Sequence, residues 1–257
     1  MSAPIINKQI VLSGDVGNFG DGLDHFTAVE VIAALDKMGS RRATIRLNSG
    51  GGLATEGVAI ASAMRSHAPG VDVIVEGIAA SAASLIAVAG TTVNMTPGAV
   101  FMIHEPAAMT FGDADQHSRG ATGLNTLADS YASIYAAKTG KPASEMRTLM
   151  KAETWMTAEE TVSFGFADGI MGQATATSVA AFAYARYRHP PASLVAMARA
   201  KGWDRQIRNK ADRDRSRANM AQQLEAAGVK PVISIPTAGL TGKDLARATM
   251  KNQIARG

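Results

Sequence analysis

Between residues 10 and 173 short β-branched runs alternate with stretches whose apolar positions recur at helical spacing, the signature of strands joined by helices. Ile10–Leu12 is a short strand ended by Ser13-Gly14-Asp15, and His25–Met38 carries Phe26, Val29, Ile32, Ala33 and Leu35 at helical spacing. Thr44–Asn48 alternates as a strand and stops at three glycines, 50 to 52; a helix over Ala54–His67 follows, stopped by Pro69-Gly70. The β-branched run Val71–Val75 closes at Gly77, and the small residues Ala79–Ala89 predict a helix that packs at close approach. Thr91–Met95 and Val100–Ile103 predict two more strands around the turn Pro97-Gly98. Leu124–Thr139 and Ala143–Met150 predict two helices, the first ended by Gly140 and the second preceded by Pro142, that together project from the globule. Thr157-Ala-Glu-Glu160 has the form of a capping box for a helix through Phe164, closed by Gly165.

The pattern fades at Gln173–Ser178, which is small, polar and featureless, and a domain boundary is placed there: residues 1–173 against a C-terminal extension, 174–257. Helices are predicted over 179–188 and 192–227, with Pro231–Pro236 an extended connector. Charge divides the chain in nearly the same way. Residues 1–185 carry 11 Lys and Arg against 17 Asp and Glu, a balance of −6, whereas 186–257 carry 15 against 5, a balance of +10. The run Lys201–Arg217 would attract nucleic acid, acidic protein or the acidic body of another copy. No aromatic interleaving accompanies it, so a solvated arginine-rich helix or linker is favoured over nucleic-acid binding.

With 257 residues, 46% hydrophobic and 19% charged, the chain supplies enough apolar surface for a large core. It has no cysteine, which excludes disulfides, thiolate metal sites and a cysteine nucleophile. The N-terminus lacks a basic stretch followed by an apolar one, and no run of about 18 apolar residues occurs, so a cytoplasmic location with no membrane contact is expected. The most apolar stretch, Ile78–Val93, is interrupted by Ser81, Ser84, Gly90 and two threonines and suits a buried helix.

Ser81 follows a strand and Gly77 and opens a helix of small residues, where free backbone N–H groups and the helix dipole favour a developing anion. A serine there is more commonly an N-cap, and Ser84, a turn further in, reads as a core hydroxyl. Asn48-Ser-Gly-Gly-Gly-Leu53 joins a strand to a helix, and its glycines leave N–H groups open to a ligand. It lacks the Lys-Ser/Thr of a P-loop and the spacing of a dinucleotide site. Of five histidines, His104 alone follows a strand into a loop, a position from which a sheet presents active-site groups; His25, His67, His117 and His189 read as surface residues.

Four blocks then fall in order: Asn48-Ser-Gly-Gly-Gly-Leu-Ala-Thr-Glu-Gly57, Gly77-Ile-Ala-Ala-Ser81, Met102-Ile-His-Glu-Pro106, and the stretch from Trp155 to Asp168. Over residues 10–172 the chain resembles the ClpP family of serine peptidases. That resemblance implies an α/β spiral of ββα units of the ClpP/crotonase type, with a projecting helical handle, followed here by a basic, helical or flexible extension. It makes Ser81 the nucleophile, His104 the general base, and the Gly52 and Ala82 backbone N–H groups the oxyanion hole. Gly50 stands where the family has proline, and Ala82 where it usually has methionine. Glu153 aligns with the family's aspartate as third member of the triad, with Asp168 and Asp129 as weaker candidates and Asp168 looking structural. No metal or organic cofactor is implied.

The family resemblance further implies a protein or peptide substrate and a homo-oligomeric, heptameric ring, often two stacked rings. Housekeeping members carry N-terminal axial loops and work with an unfolding ATPase, whereas this chain begins almost directly at its first strand. The basic extension is closer to head-maturation proteases of tailed phages, which act inside a procapsid on scaffold or capsid protein, and that reading is preferred over general protein turnover. The competing classes are a crotonase-like acyl-CoA enzyme, whose carboxylate bases and CoA signatures are not evident, and a non-catalytic scaffold that kept only the fold.

Overall fold

The computed structural model describes residues 3–19, 24–171, 182 and 184–202. In chain order the elements are β1 (Ile5–Ile6), β2 (Gln9–Ser13), β3 (Asp15–Val16), β4 (His25–Phe26), α1 (Ala28–Met38), β5 (Ala43–Ser49), α2 (Ala54–Ser66), β6 (Val71–Ala80), α3 (Ala82–Ala87), β7 (Thr92–Met95) and β8 (Val100–Ile103). There follow α4 (Ala114–Thr139), α5 (Ala143–Ala152), β9 (Thr154–Met156), α6 (Ala158–Phe164), β10 (Gly169–Ile170), a 3₁₀ turn (Tyr184–Arg186) and α7 (Ala192–Lys201). All of these lie in one compact unit, Met1–Arg213. The expected mixed α/β architecture is observed.

Eight strands form one sheet in the order β1-β2-β5-β6-β7-β10, with β8 branching from β6 and β9 pairing with β8. The path from β2 to β10 is parallel, as strand–helix–strand connections produce, while β1 and β9 pair antiparallel at its margins. β6 organises the sheet. Its first half pairs with β7 (Asp72↔Thr92 to Val75↔Met95) and its second half with β8 (Ile78↔Val100 to Ala80↔Met102). The β5–β6 register jumps from Leu47↔Val75 to Ser49↔Ala79, so β6 carries extra residues around Gly77 that re-aim its end.

Alternation holds along β5, where Ala43, Ile45, Leu47 and Ser49 are buried, and along β6 up to Val75. The outward residues pair across the strands, Arg42 with Asp72 at 2.6 Å and Arg46 with Glu76 at 2.5 Å. The helices pack their inner faces on the core, and α3 is buried on every side. Gly57 of α2 lies so close to Ala82 that a Cβ there would stand 3.0 Å from the alanine Cβ, which requires small residues on both helices. A second cluster, Ile78, Ala80, Met102, Tyr184, Leu194 and Ala198, covers the other face of the β6–β8 strip. Residues 184–198, which the sequence reading placed in the extension, are what cover it.

Several boundaries differ from expectation. α1 begins at Ala28, after Thr27 forms a capping box with Glu30, and His25–Phe26 pairs as β4. Its buried residues are Ala28, Val31, Ala34, Leu35 and Met38, whereas Val29 and Ile32 are 76% and 42% exposed. The apolar spacing marked the helix, but apart from Leu35 its inward face is set by other residues, Ala28, Val31, Ala34 and Met38. Ala79 and Ala80 complete β6 instead of starting a helix, because their amides pair with β8. α4 starts at Ala114, ten residues before expected, behind a capping box of Asp113 and Gln116. α6 matches its predicted capping box and glycine stop. Within the expected helix 179–188 the described residues form only the 3₁₀ turn, and α7 ends at Gly202 in the left-handed conformation. The remainder of 192–227, the basic run from residue 203 and the connector 231–236 lie outside the described residues. No described helix is long and apolar enough to cross a membrane.

Candidate active site

Sheet register brings the three candidate side chains to one edge. Ala80 pairs with Met102, and the Ser81 N–H continues the ladder to the Met102 carbonyl at 3.0 Å. On the other side of β8, Ile103 pairs with Thr154 in antiparallel register, so one further step sets His104 opposite Glu153. Ser81, His104 and Glu153 therefore occupy the ends of three neighbouring strands. Their side chains line a cavity of about 610 Å³ together with Gly52.

Ser81 has φ 56° and ψ −124°, a conformation rare for a residue with a Cβ, at the sharp turn between β6 and α3. It stands at the N-cap position but makes no capping bond; instead its Oγ lies 2.7 Å from His104 Nε2. Glu153 is the other non-glycine residue of the site with a positive φ, in the left-handed conformation at the end of α5 (φ 53°). Ser84 is the core hydroxyl expected: it donates to the Ser81 carbonyl at 2.6 Å and lies 2.8 Å from the Tyr135 hydroxyl.

The glycine loop lies against this turn. A Cβ on Gly51 would stand 2.7 Å from the Ala80 carbonyl oxygen and 2.8 Å from Ser81 Cβ, and one on Gly52 2.2 Å from the Val16 carbonyl oxygen. The loop is held by Val16 N–H donating to the Gly51 carbonyl, Leu53 N–H to the Val16 carbonyl and Gly51 N–H to Ser49 Oγ. These bonds use the amides on either side of Gly52 and leave its own N–H out of the ladder. Ala82 is the first residue of α3, where an amide has no intrahelical acceptor.

Burial lowers the His104 pKa, as does Arg188, against opposing contributions from Glu153 and Glu105; the net effect keeps the imidazole neutral near pH 7. For Glu153, burial would raise the pKa, but the His189 and Arg188 amides, the Trp155 indole and His104 outweigh it and hold the group as a carboxylate. Its Oε1 accepts from His189 N–H at 2.6 Å and from Trp155 Nε1 at 3.3 Å, and its Oε2 from Arg188 N–H at 2.7 Å. Among the described residues Glu153 forms no hydrogen bond with His104; it acts on the imidazole through its charge.

The weaker acid candidates sit elsewhere. Asp168 accepts from Val93 N–H at 2.7 Å and pairs with Lys138, tying β7 to α4. Asp129 on α4 pairs with Arg147 of α5, which also holds Glu105 at 2.6 Å. His67 and His117 make surface contacts with the Arg41 carbonyl and Thr110.

Sequence reading missed the residues after 181. The Tyr187 hydroxyl donates to the Gly50 carbonyl, and its ring meets His104 and Trp155 edge-on, each at 5.3 Å between centroids, and stacks on Phe182 at 5.6 Å. Phe182 in turn packs on Gly50, where a Cβ would stand 2.4 Å from its ring. The available signal was aromatic content. Two of only four tyrosines, Tyr184 and Tyr187, fall beside Phe182 within the helix expected over 179–188.

Comparison with known proteins follows the same outline. The pattern of the family described as Clp protease matches residues 10–174. The ATP-dependent Clp protease proteolytic subunit of Streptococcus thermophilus is 33% identical over 129 residues, which cover 49% of this chain and 66% of that protein. The subunit of the same name from Streptococcus pyogenes is 34% identical with the same coverage. The chain thus spans just under two thirds of the length of these curated relatives. Among solved structures, a ClpP1 mutant from Listeria monocytogenes superposes with a TM-score of 0.56 at 20% identity, over 65% of this chain and 92% of that one, a likeness of fold.

Proposed function

The chain belongs to the Clp protease family, and from that membership we propose that it is a serine endopeptidase acting through an acyl-enzyme on Ser81. The observation that carries the reading is the 2.7 Å contact between Ser81 Oγ and a neutral His104 Nε2. His104 takes the Ser81 proton as the oxygen attacks a peptide carbonyl, and the Gly52 and Ala82 N–H groups stabilise the oxyanion. The imidazolium formed is stabilised by the Glu153 carboxylate. Protonated His104 then gives its proton to the leaving amine, and water, activated by the same imidazole, releases the acyl group.

The assembly belongs to the same proposal: a homo-oligomeric ring, as one ring or two stacked. Apolar side chains left outside support it, with Val29 and Ile32 exposed on α1 and Met109 and Phe111, 71% and 54% exposed, ahead of α4. The division into a peptidase domain, 1–173, and a basic extension, 174–257, is also retained, with Phe182 and residues 184–202 of the extension packed on the first part. The finer reading is a phage head-maturation protease cutting scaffold or capsid protein, supported by the +10 balance of residues 186–257. General protein turnover is the second reading, favoured by the name its relatives carry, ATP-dependent Clp protease proteolytic subunit.

One experiment tests both levels. Purified wild type should be labelled on Ser81 by a fluorophosphonate and should hydrolyse an unstructured peptide, and Ser81→Ala should do neither. Mass spectrometry of the two preparations separates the finer readings: cuts within 174–257 present only in the wild type support maturation, and an intact chain that degrades an ATPase-delivered substrate supports turnover. An enoyl-CoA hydratase activity without labelling would overturn the peptidase reading.

A further inference from the structure

Residues 187–189 lie beyond the stretch matched by the family, yet they touch the glycine loop, His104 and Glu153. The Tyr187 hydroxyl donates to the Gly50 carbonyl, in the loop that carries the Gly52 N–H. Its ring edge meets the His104 imidazole at 5.3 Å between centroids. The next two amides take both oxygens of Glu153, at 2.7 and 2.6 Å. The Tyr187–Gly50 bond adds to those that hold Gly51 and Leu53 to Val16 and Ser49 and restrains the Gly50 end of the loop, where three consecutive glycines would otherwise sample many backbone conformations.

We infer that Tyr187 is a positioning residue of this active site, its hydroxyl fixing the glycine loop and its ring fixing the imidazole, while the Arg188 and His189 amides orient the Glu153 carboxylate. The inference rests on the peptidase reading. It assigns to the chain's own additional segment a role in building the site, beyond the triad and oxyanion hole. The alternative use of the same contacts, a strap that blocks the cleft, fits less well: the Ser81–His104 contact is formed with the segment in place, and the cavity beside Ser81 stays open at about 610 Å³. A blocking strap predicts the opposite sign on mutation.

The test compares wild type, Tyr187→Phe and Tyr187→Ala in the full-length protein. Tyr187→Phe keeps the ring and loses the loop bond, so kcat should fall about 10-fold with KM little changed; Tyr187→Ala should fall about 100-fold, the scale of a misplaced catalytic group. Fluorophosphonate labelling rates should fall in the same proportion, and urea unfolding midpoints report whether the fold is kept. Tyr187→Ala also opens the imidazole to water. The acid limb of its pH–rate profile should then move up toward pH ~6.5, with Glu153, Glu105 and Arg188 still facing His104. An active wild type with unimpaired Tyr187→Phe and Tyr187→Ala, or with either one faster, overturns the positioning role alone. A wild type that neither labels nor hydrolyses overturns the peptidase reading and this inference with it.

Discussion

Ser81 and Glu153 share an unusual trait: both hold a positive φ without being glycine, and they stand on either side of the β8 strand that ends at His104. Strain of this kind persists only where surrounding packing enforces it. The buried β6–α3 turn does so for Ser81, and the two amide bonds to its carboxylate do so for Glu153. The protonation states give a directional prediction. In the proposed mechanism His104 serves as base only when neutral, and burial lowers its pKa, so hydrolysis should fall with an acid limb below pH ~6.5 and stay level above it. Glu153→Gln removes the charge that favours the imidazolium; kcat should drop by about 10²- to 10⁴-fold while the acid limb moves to still lower pH. Linkage has the same sign for both groups. The folded chain holds the His104 proton less tightly than the unfolded one, and likewise the Glu153 proton. Each therefore removes stability as pH falls below its unfolded value, His104 first, and pH-dependent thermal melting checks that order.

Among the elements, α3 is the one whose composition and position constrain each other most. It is six residues long, entirely buried, and packed on α2 through Gly57 and Ala82. Its one polar side chain, Ser84, joins it to α4 through Tyr135, whose hydroxyl titrates upward because of its burial. Ser84→Ala would strand that hydroxyl and should cost about 1–3 kcal/mol in urea unfolding; Tyr135→Phe leaves Ser84 bonded to the Ser81 carbonyl and should cost about 1 kcal/mol. Arg147 binds α5 to both α4 and the residue after His104, so these helices brace the candidate site. Capping chemistry made α6 legible to the residue, since Thr157, Glu160 and Gly165 satisfy its terminal groups locally. The start of α4 was not legible: Gly120 and Gly123 interrupt its apolar period, and ten residues of its first turns are largely exposed.

At the level of the whole molecule, the apolar residues left outside bear on assembly. Val29 and Ile32 stand three apart on the outer face of α1 and so form one patch. Replacing both by glutamate should break the proposed ring, seen as a fall in mass by light scattering, with the unfolding midpoint of the subunit preserved because neither side chain reaches the core. The same two residues explain a misjudged face. They mark the helical period of α1, yet the face it buries is Ala28, Val31, Ala34, Leu35 and Met38, and the helix packs against α2. Hydrophobicity alone does not say whether an apolar face meets the sheet or solvent.

The amino-acid order by itself determined the alternation of strands and helices, the glycine loop and the caps of α6, and it singled out Ser81 and His104, with Glu153 through the family resemblance, as the candidates that the proposed mechanism uses. These depend on neighbours within a few residues or on whole motifs. Only the tertiary structure decided that Glu153 is gripped by two amides instead of by His104, and that Tyr187 spans the imidazole and the loop. Those contacts join residues 35 to 137 positions apart, through the β8–β9 register and a segment that lies beyond every motif read in the sequence. A pattern read along the chain carries local geometry; the closing of distant strand ends on one another is a property of the packed sheet.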